Sequence, residues 1–244
     1  MAARSYPSGH FVLSLDNEPA VLDGLTEVGG MPATLWGARA LSVLNKALAG
    51  AINLGRTPSA GRILSVGYDG KVKQIRELTG LKFAKIEFQQ VGALLNFADT
   101  VQVTLSATSK ILPGDNSTVP MSKAGMLQQY WLRCHYKLEL GNLPTQRISS
   151  IGAITIVPPS SPPDFLIAVS QVDAAPYRQA LQSKVPMNAV VKYLTPALTP
   201  LCSLTFPSAR ITTEVLSSVG PRQPASTSAQ FVISPGKPTF AYGA

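Results

Sequence analysis

The sequence contains little charge, few histidines and few cysteines. Charged residues make up 14% of the 244 residues, whereas they make up about 25% of an average soluble protein. Two histidines and two cysteines offer a zinc site almost no ligands, and two cysteines are too few for a disulfide framework. We therefore expect no metal and no other cofactor, and we interpret Cys134 and Cys202 as small buried apolar residues.

Long hydrophobic runs are also absent from the sequence. No run of about 18 apolar residues occurs, which predicts that no helix spans a membrane. Residues 1–7, with the sequence MAARSYP, lack the apolar segment of a signal peptide. We therefore expect neither secretion through the general export pathway nor a membrane partner.

Positive charge exceeds negative charge, and the net charge is +8. This excess permits binding to nucleic acid or to another acidic surface. The densest basic stretch runs from Lys71 to Lys85, where cationic and apolar residues alternate as on the solvated face of strands. A basic nucleic-acid-binding β module is an alternative function. Its signal is weak, because Phe83 and Lys85 share one strand face and Phe88 lies on the other.

An internal repeat divides the chain. Residues 10–19 read HFVLSLDNEP and residues 135–144 read HYKLELGNLP, at an offset of 125 residues. Ala84–Ile86 matches Ala209–Ile211 at the same offset. Two matches with one offset indicate that a whole domain is duplicated. The sequence therefore predicts domains over residues 1–124 and 125–244, joined in the turn-rich stretch from Pro113 to Gly125.

The hydrophobic pattern predicts the same order of elements in each half. In the first half, we expect a half-buried strand, a turn, a return strand ending near Val28, a helix, and then strands. The predicted segments are a strand over Phe11–Leu15, a turn at Asp16-Asn17, a helix capped by Thr34 and stopped by Gly55, strands over Arg62–Tyr68 and Val72–Leu78 joined by Asp69-Gly70, and strands over Ala84–Phe88 and Val101–Leu105.

The second half repeats this pattern with a shorter helix. The predicted segments are a strand from Tyr136, a turn at Gly141-Asn142, a return strand ending near Ile151, a helix near Ala175–Ser183, and strands over Ala189–Leu194, Ala209–Val215 and Ala229–Ile233. The sequence therefore predicts a mainly β protein, with sandwich-forming or barrel-forming sheets and one helix in each half.

No set of residues in the sequence forms a catalytic constellation. His10 and His135 each stand at the start of a predicted strand, which indicates a repeated structural role. Four acidic residues fall on one turn and its flanks, namely Asp16, Glu18, Asp23 and Glu27. Three nearby glycines lack the Lys-Ser/Thr of a phosphate-binding loop, namely Gly24, Gly29 and Gly30. We therefore expect no enzyme, and we assign no catalytic, cofactor-binding or metal-binding residue.

The order of the elements resembles the tail tube family of contractile phages and related injection systems. A domain of that family opens with a strand and a hairpin, continues through a helix and a glycine-turn hairpin, and ends with an apolar segment and a final strand. The similar segments are Phe11–Gly30, Asp69–Val72, Leu78–Ile86 and Val101–Leu105 in the first half, and Tyr136–Gly152 and Leu204–Ile211 in the second.

The resemblance implies a structural protein with two tandem copies of a tail-tube-like domain. A usual subunit of the family has one such domain and assembles as a hexamer. The duplication therefore implies homo-oligomeric rings of three chains, which act as pseudo-hexamers and stack into a tube. Implied partners are sheath and baseplate proteins, with DNA or effector cargo in the lumen, and the implied location is a virion tail or an injection particle assembled in the cytoplasm. A tube-initiating or tail-completion adaptor ring is the alternative.

Overall fold

The computed structural model of the chain describes residues 10–16, 18–22, 24–27, 33–36, 41–96, 98–99, 101–119, 131–159, 164–215 and 228–243. The fold is mainly β and contains a nearly closed, barrel-like sheet, which confirms the predicted fold class. The chain forms two compact units. The first unit comprises Met1–Ile86 and Thr100–Tyr130, and the second comprises Glu87–Asp99 and Trp131–Ala244.

Strands and one helix make up the first unit. They are β1 (His10–Leu15), β2 (Glu18–Leu22), β3 (Gly24–Glu27), β4 (Ala33–Trp36), α1 (Leu41–Leu54), β5 (Gly61–Val66) and β6 (Val72–Phe88), whose last two residues belong to the second unit. After β7 (Val91–Gly92) and β8 (Ala98–Asp99) of the second unit, the chain returns to the first unit as β9 (Val101–Pro113).

The second unit contains the remaining elements. They are β10 (Trp131–Leu132), β11 (Tyr136–Leu140), β12 (Ile148–Ile151), β13 (Ile154–Ile156), β14 (Phe165–Ser170), a 3-10 turn (Gln171–Asp173), α2 (Ala175–Ser183), β15 (Met187–Leu194), β16 (Pro200–Val215), β17 (Ser228–Ser234) and β18 (Thr239–Tyr242). The observed bounds of α2 agree with the predicted helix.

The main sheets of the two units have matching strand orders. In the first unit the order is β2-β1-β5-β6-β9-β4-β3, and in the second it is β11-β15-β16-β17-β14-β12-β7. The six strands from β1 to β3 in the first list therefore correspond one for one to the six strands from β11 to β12 in the second. The helices also correspond, because α1 follows β4 and precedes β5, as α2 follows β14 and precedes β15.

The helix of the first unit begins later than predicted. Thr34 lies in β4, opposite Thr104 of β9, so the prediction that it caps the helix was wrong. Pairing with a neighbouring strand decides the conformation of residues 33–36, and local propensity does not. The predicted stop was correct, because Gly55 follows the helix with a φ of 66° and its N–H donates to the carbonyl of Ala51.

Two predicted strand patterns were also wrong. Residues 72–88 form one strand, in which Gly80 adopts a φ of 64° without ending the strand, whereas two strands were predicted. In the second half, β12 pairs with β14 and β7 and does not return as a hairpin partner of β11. A hairpin exists only in the first unit, where Leu15 of β1 lies opposite Glu18 of β2, but its return strand ends at Leu22 and not near Val28, which lies outside the described residues. Gly24–Glu27 pairs with β4 instead.

Each unit buries its own apolar side chains. In the first unit, β1 was expected to be half-buried, but Val12 and Leu13 on its two faces are both buried. Val12 packs into a small cluster with Val66, Val72 and Val119. In the second unit, Tyr177 anchors α2, since its ring stacks on Phe231 at 5.5 Å and its hydroxyl donates to the carbonyl of Pro144 at 2.6 Å.

Candidate assembly surfaces

The β5–β6 and β15–β16 hairpins have the same strand register. Gly61 lies opposite Leu78 in the first hairpin, and Ala189 lies opposite Phe206 in the second. Near the tip each hairpin has one register shift, which falls between residues 65 and 66 and between residues 193 and 194; the second hairpin has a further shift between residues 187 and 189, at its other end. From Ala189 to the tip, every position of the second hairpin thus corresponds to the position 128 residues earlier, including the register shift beside the tip.

The turns at the two hairpin tips also share their hydrogen bonds. In the first tip, Gly70 donates to the carbonyl of Gly67 at 3.0 Å, and in the second, Leu198 donates to the carbonyl of Thr195 at 2.8 Å. A second bond closes each turn at 2.9 Å, from Gly67 to Lys71 and from Thr195 to Thr199. The predicted turn at Asp69-Gly70 is confirmed, with a φ of 73° at Gly70.

The structure shifts the repeat that the sequence suggested. Gly80 and Ser208 both have left-handed φ, 64° and 58°, and each is followed by a buried, an exposed and a buried residue. The counterpart of Ala209–Ile211 is therefore Leu81–Phe83, and the match to Ala84–Ile86 was wrong. The offset of 125 residues holds only for the first strands, because the whole stretch between the first strand and the hairpin, from Leu140 to Ala189, is three residues longer than the corresponding stretch from Leu15 to Gly61.

The two histidines lie at corresponding positions with different side-chain environments. His10 lies opposite Val66 at the end of β5, and His135 accepts a backbone hydrogen bond from Leu194 at the end of β15. Burial lowers the pKa of His10, whose Nε2 has no hydrogen-bond partner in the described part of the chain. His135 Nδ1 instead lies 3.3 Å from the carbonyl oxygen of Thr195. The two histidines therefore share their backbone pairing with the end of β5 or β15 and differ in their side-chain contacts.

Asp16 is a structural carboxylate. Its Oδ1 accepts hydrogen bonds from the Ser59 hydroxyl at 2.7 Å, the Ser59 amide at 3.0 Å and the Ala60 amide at 3.2 Å. These bonds, chiefly that of the Ser59 hydroxyl, lower the pKa of Asp16. Glu18, Gly24 and Glu27 lie in β2 or β3, and Asp23, Gly29 and Gly30 lie outside the described residues.

The aromatic residues considered for nucleic-acid binding are buried. Phe83 is 4% exposed and Phe88 is fully buried. The Phe88 ring stacks on Tyr193 at 5.3 Å and on Trp131 at 6.3 Å. Base stacking requires an accessible ring face, so these two phenylalanines offer no platform for bases.

Both cysteines are free thiols. Cys202 is buried, as expected, and burial raises the pKa of its thiol. Cys134 is half-buried, with its Sγ 3.7 Å from Oδ1 of Asn96. Across the described residues, no three His, Cys, Asp or Glu side chains come together as potential metal ligands. The described helices are all too short or too polar to cross a membrane.

Grooves lie at corresponding places in the two units, but their chemistry differs. The first groove, of about 540 Å³, lies beside α1, and its charged lining residues are Asp16, Lys46 and Arg56. The second, of about 640 Å³, lies beside the turn at Gly141, and Glu139 is its only charged lining residue. No shared ligand chemistry therefore connects the two grooves.

The hairpin tips carry exposed apolar side chains. Tyr68 is 84% exposed and Leu198 is 62% exposed.

The stretch predicted as the linker runs from Pro113 to Gly125, and hydrogen bonds hold its described part to its own unit. That part lies against β6. Gly114 donates to the carbonyl of Lys73, and Val72 donates to the carbonyl of Ser117. A Cβ at Gly114 would lie 2.2 Å from the carbonyl oxygen of Val72, so this close approach requires glycine.

Comparison with known proteins assigns no family to this chain. No protein-family model matches it, and a search of the curated proteins finds no match.

Proposed function

We propose that this protein is a structural subunit that self-assembles into rings, and that the rings stack into the inner tube of a phage tail or a contractile injection system. The observation that carries the proposal is the corresponding order of strands and helix in the two units. The shared register of the β5–β6 and β15–β16 hairpins supports it at the level of single residues.

A duplicated domain suits a closed ring. Two copies of one fold in a chain supply two similar building blocks, so three chains supply the six positions of a pseudo-hexamer. A head-to-tail contact closes into a ring when its rotation is right, and the two unlike faces of such a ring allow stacking. Tube formation also covers sheet edges, which isolated sheets leave open to aggregation.

The exposed residues at the hairpin tips support contacts between copies. Tyr68 and Leu198 project apolar side chains at corresponding turns, and such side chains suit contacts that exclude water. A virion-tail or injection-particle location, with sheath, baseplate and cargo partners, forms part of this proposal. An adaptor ring is the alternative within the same class. The basic nucleic-acid module is disfavoured by the burial of Phe83 and Phe88.

Light scattering and negative-stain imaging over a range of protein and salt concentrations test the proposal. The expected result is a mass of three chains, with rings or tubes in the images. A monomer at every concentration, with no rings or tubes, would refute the tube function. A ring that never stacks would favour the adaptor alternative.

A further inference from the structure

The outer edge of β11 presents backbone groups that no described strand pairs. Leu194 donates to the carbonyl of His135, and Gly141 donates to the carbonyl of Asn188. These bonds fix the alternation of an antiparallel ladder, in which every second residue turns its N–H and C=O towards β15. The residues between them, Tyr136, Leu138 and Leu140, direct their backbone groups to the opposite side.

In the first unit, β2 covers the corresponding edge of β1. The residues of β1 that correspond to Tyr136, Leu138 and Leu140 are Phe11, Leu13 and Leu15, which lie opposite Leu22, Ala20 and Glu18 of β2. In the second unit the chain leaves β11 through a turn, in which the carbonyl of Leu140 accepts a hydrogen bond from Leu143. Among the described strands, β11 therefore pairs only with β15.

The other ends of the two sheets show the reverse arrangement. In the second unit, β12 is covered by β7, with Ser150 opposite Gly92 and Ile151 opposite Val91. The corresponding strand of the first unit is β3, which pairs only with β4 among the described strands. Among the described strands, the six corresponding strands are thus extended by β2 at the β1 end in the first unit and by β7 at the β12 end in the second, whereas β3 and β11 carry no such extension and lie at opposite ends of the corresponding sheets.

We propose that β3 of one copy, Gly24–Glu27, pairs with β11 of a second copy and continues the sheet from chain to chain. This inference rests on the proposed ring assembly and names its contact. The strands match in length, with four residues in β3 and five in β11. Pairing β11 with another β11 would close a two-fold dimer and leave both β3 edges open. Pairing β3 with β11 uses the two ends that no additional strand extends, and it is head-to-tail, as a ring requires.

Disulfide cross-linking tests the contact directly. The background variant is Cys134→Ser, with the buried Cys202 retained. Lys137→Cys on β11 is combined with a cysteine at each of the four positions of β3 in turn, so that every register is sampled. Assembled protein is oxidised and run on a non-reducing gel. The matched control carries Lys192→Cys on β15, one strand further in, where a partner on β3 of another copy lies beyond disulfide reach.

The expected result is a ladder of dimers and trimers for at least one double variant, because a closed ring holds three chains. Each single variant and the Lys192→Cys control should remain monomeric on the gel. Dimers from Lys137→Cys alone would overturn the proposal in favour of two-fold β11 pairing, and a cross-link within one chain would place β3 on the edge of its own chain. Rings without any ladder would overturn this contact and leave the proposed function standing, whereas the absence of all assembly would refute both.

Discussion

Replacing Leu198 with glycine should stabilise the isolated chain and weaken its assembly. Leu198 has a φ of 61°, in the left-handed region that side chains other than glycine, asparagine and aspartate rarely adopt. The corresponding residue in the first hairpin is Gly70, with a φ of 73°. The second hairpin therefore carries a leucine where the backbone favours glycine, and that leucine is 62% exposed.

The magnitude follows from two opposing effects. Left-handed backbone costs about 1–2 kcal/mol for a residue with a side chain. Introducing glycine costs about 0.4–1 kcal/mol, because the unfolded chain gains freedom. The exposed side chain contributes little burial, so Leu198→Gly should stabilise the second unit by about 0.5–1 kcal/mol. Gly70→Leu should destabilise the first unit by a similar amount, because it places a leucine at a left-handed position that glycine now occupies.

Urea unfolding of dilute, unassembled protein measures the change in stability. Separate probes are used for the two units, because the chain need not unfold in one step. Light scattering at high concentration measures the change in assembly, and the expected result is a smaller assembled fraction for Leu198→Gly. Leu198→Asn is the matched control, since asparagine tolerates the same φ without an apolar side chain. A lower urea midpoint for Leu198→Gly would refute the backbone argument, and unchanged assembly would refute a contact role for this tip.

Substitutions at four further positions test other contacts. Val12→Ala should destabilise the first unit by about 2 kcal/mol in urea unfolding, because two buried carbons are lost and a cavity remains; a loss below about 0.5 kcal/mol would contradict the packing. Tyr177→Phe should cost about 1 kcal/mol, since the carbonyl of Pro144 loses its donor. Arg178→Met should lower the melting temperature more than Arg178→Lys, because only the guanidinium forms the forked pair with Glu214, at 2.7 and 3.0 Å. Asp16→Asn should lower the urea midpoint at pH 7, and the difference should shrink as the pH is lowered. The lowered pKa of Asp16 stabilises the fold above the unfolded pKa, and this contribution is lost as the pH falls through the folded pKa.

Local chain properties made several elements predictable. Alternating apolar residues marked β1 and β15, and the Asp69-Gly70 turn joined β5 to β6 because glycine reaches the left-handed region without steric cost. The bounds of α2 and the end of α1 at Gly55 were also local, since a helix and its stop depend on neighbouring residues. Residue type predicted that both cysteines are buried, which is confirmed for Cys202 and wrong for Cys134, which is half-buried.

Long-range pairing decided what these local signals did not. Residues 33–36 became a strand because β9 lies beside them, and β12 left β11 because β14 and β7 pair with it. The sequence by itself determined a mainly β chain with a repeated opening strand at an offset of 125 residues. Only the tertiary structure decided the offset of 128 residues in the hairpins and which sheet edges stay open. Those features depend on hydrogen bonds between distant residues, which local periodicity does not encode.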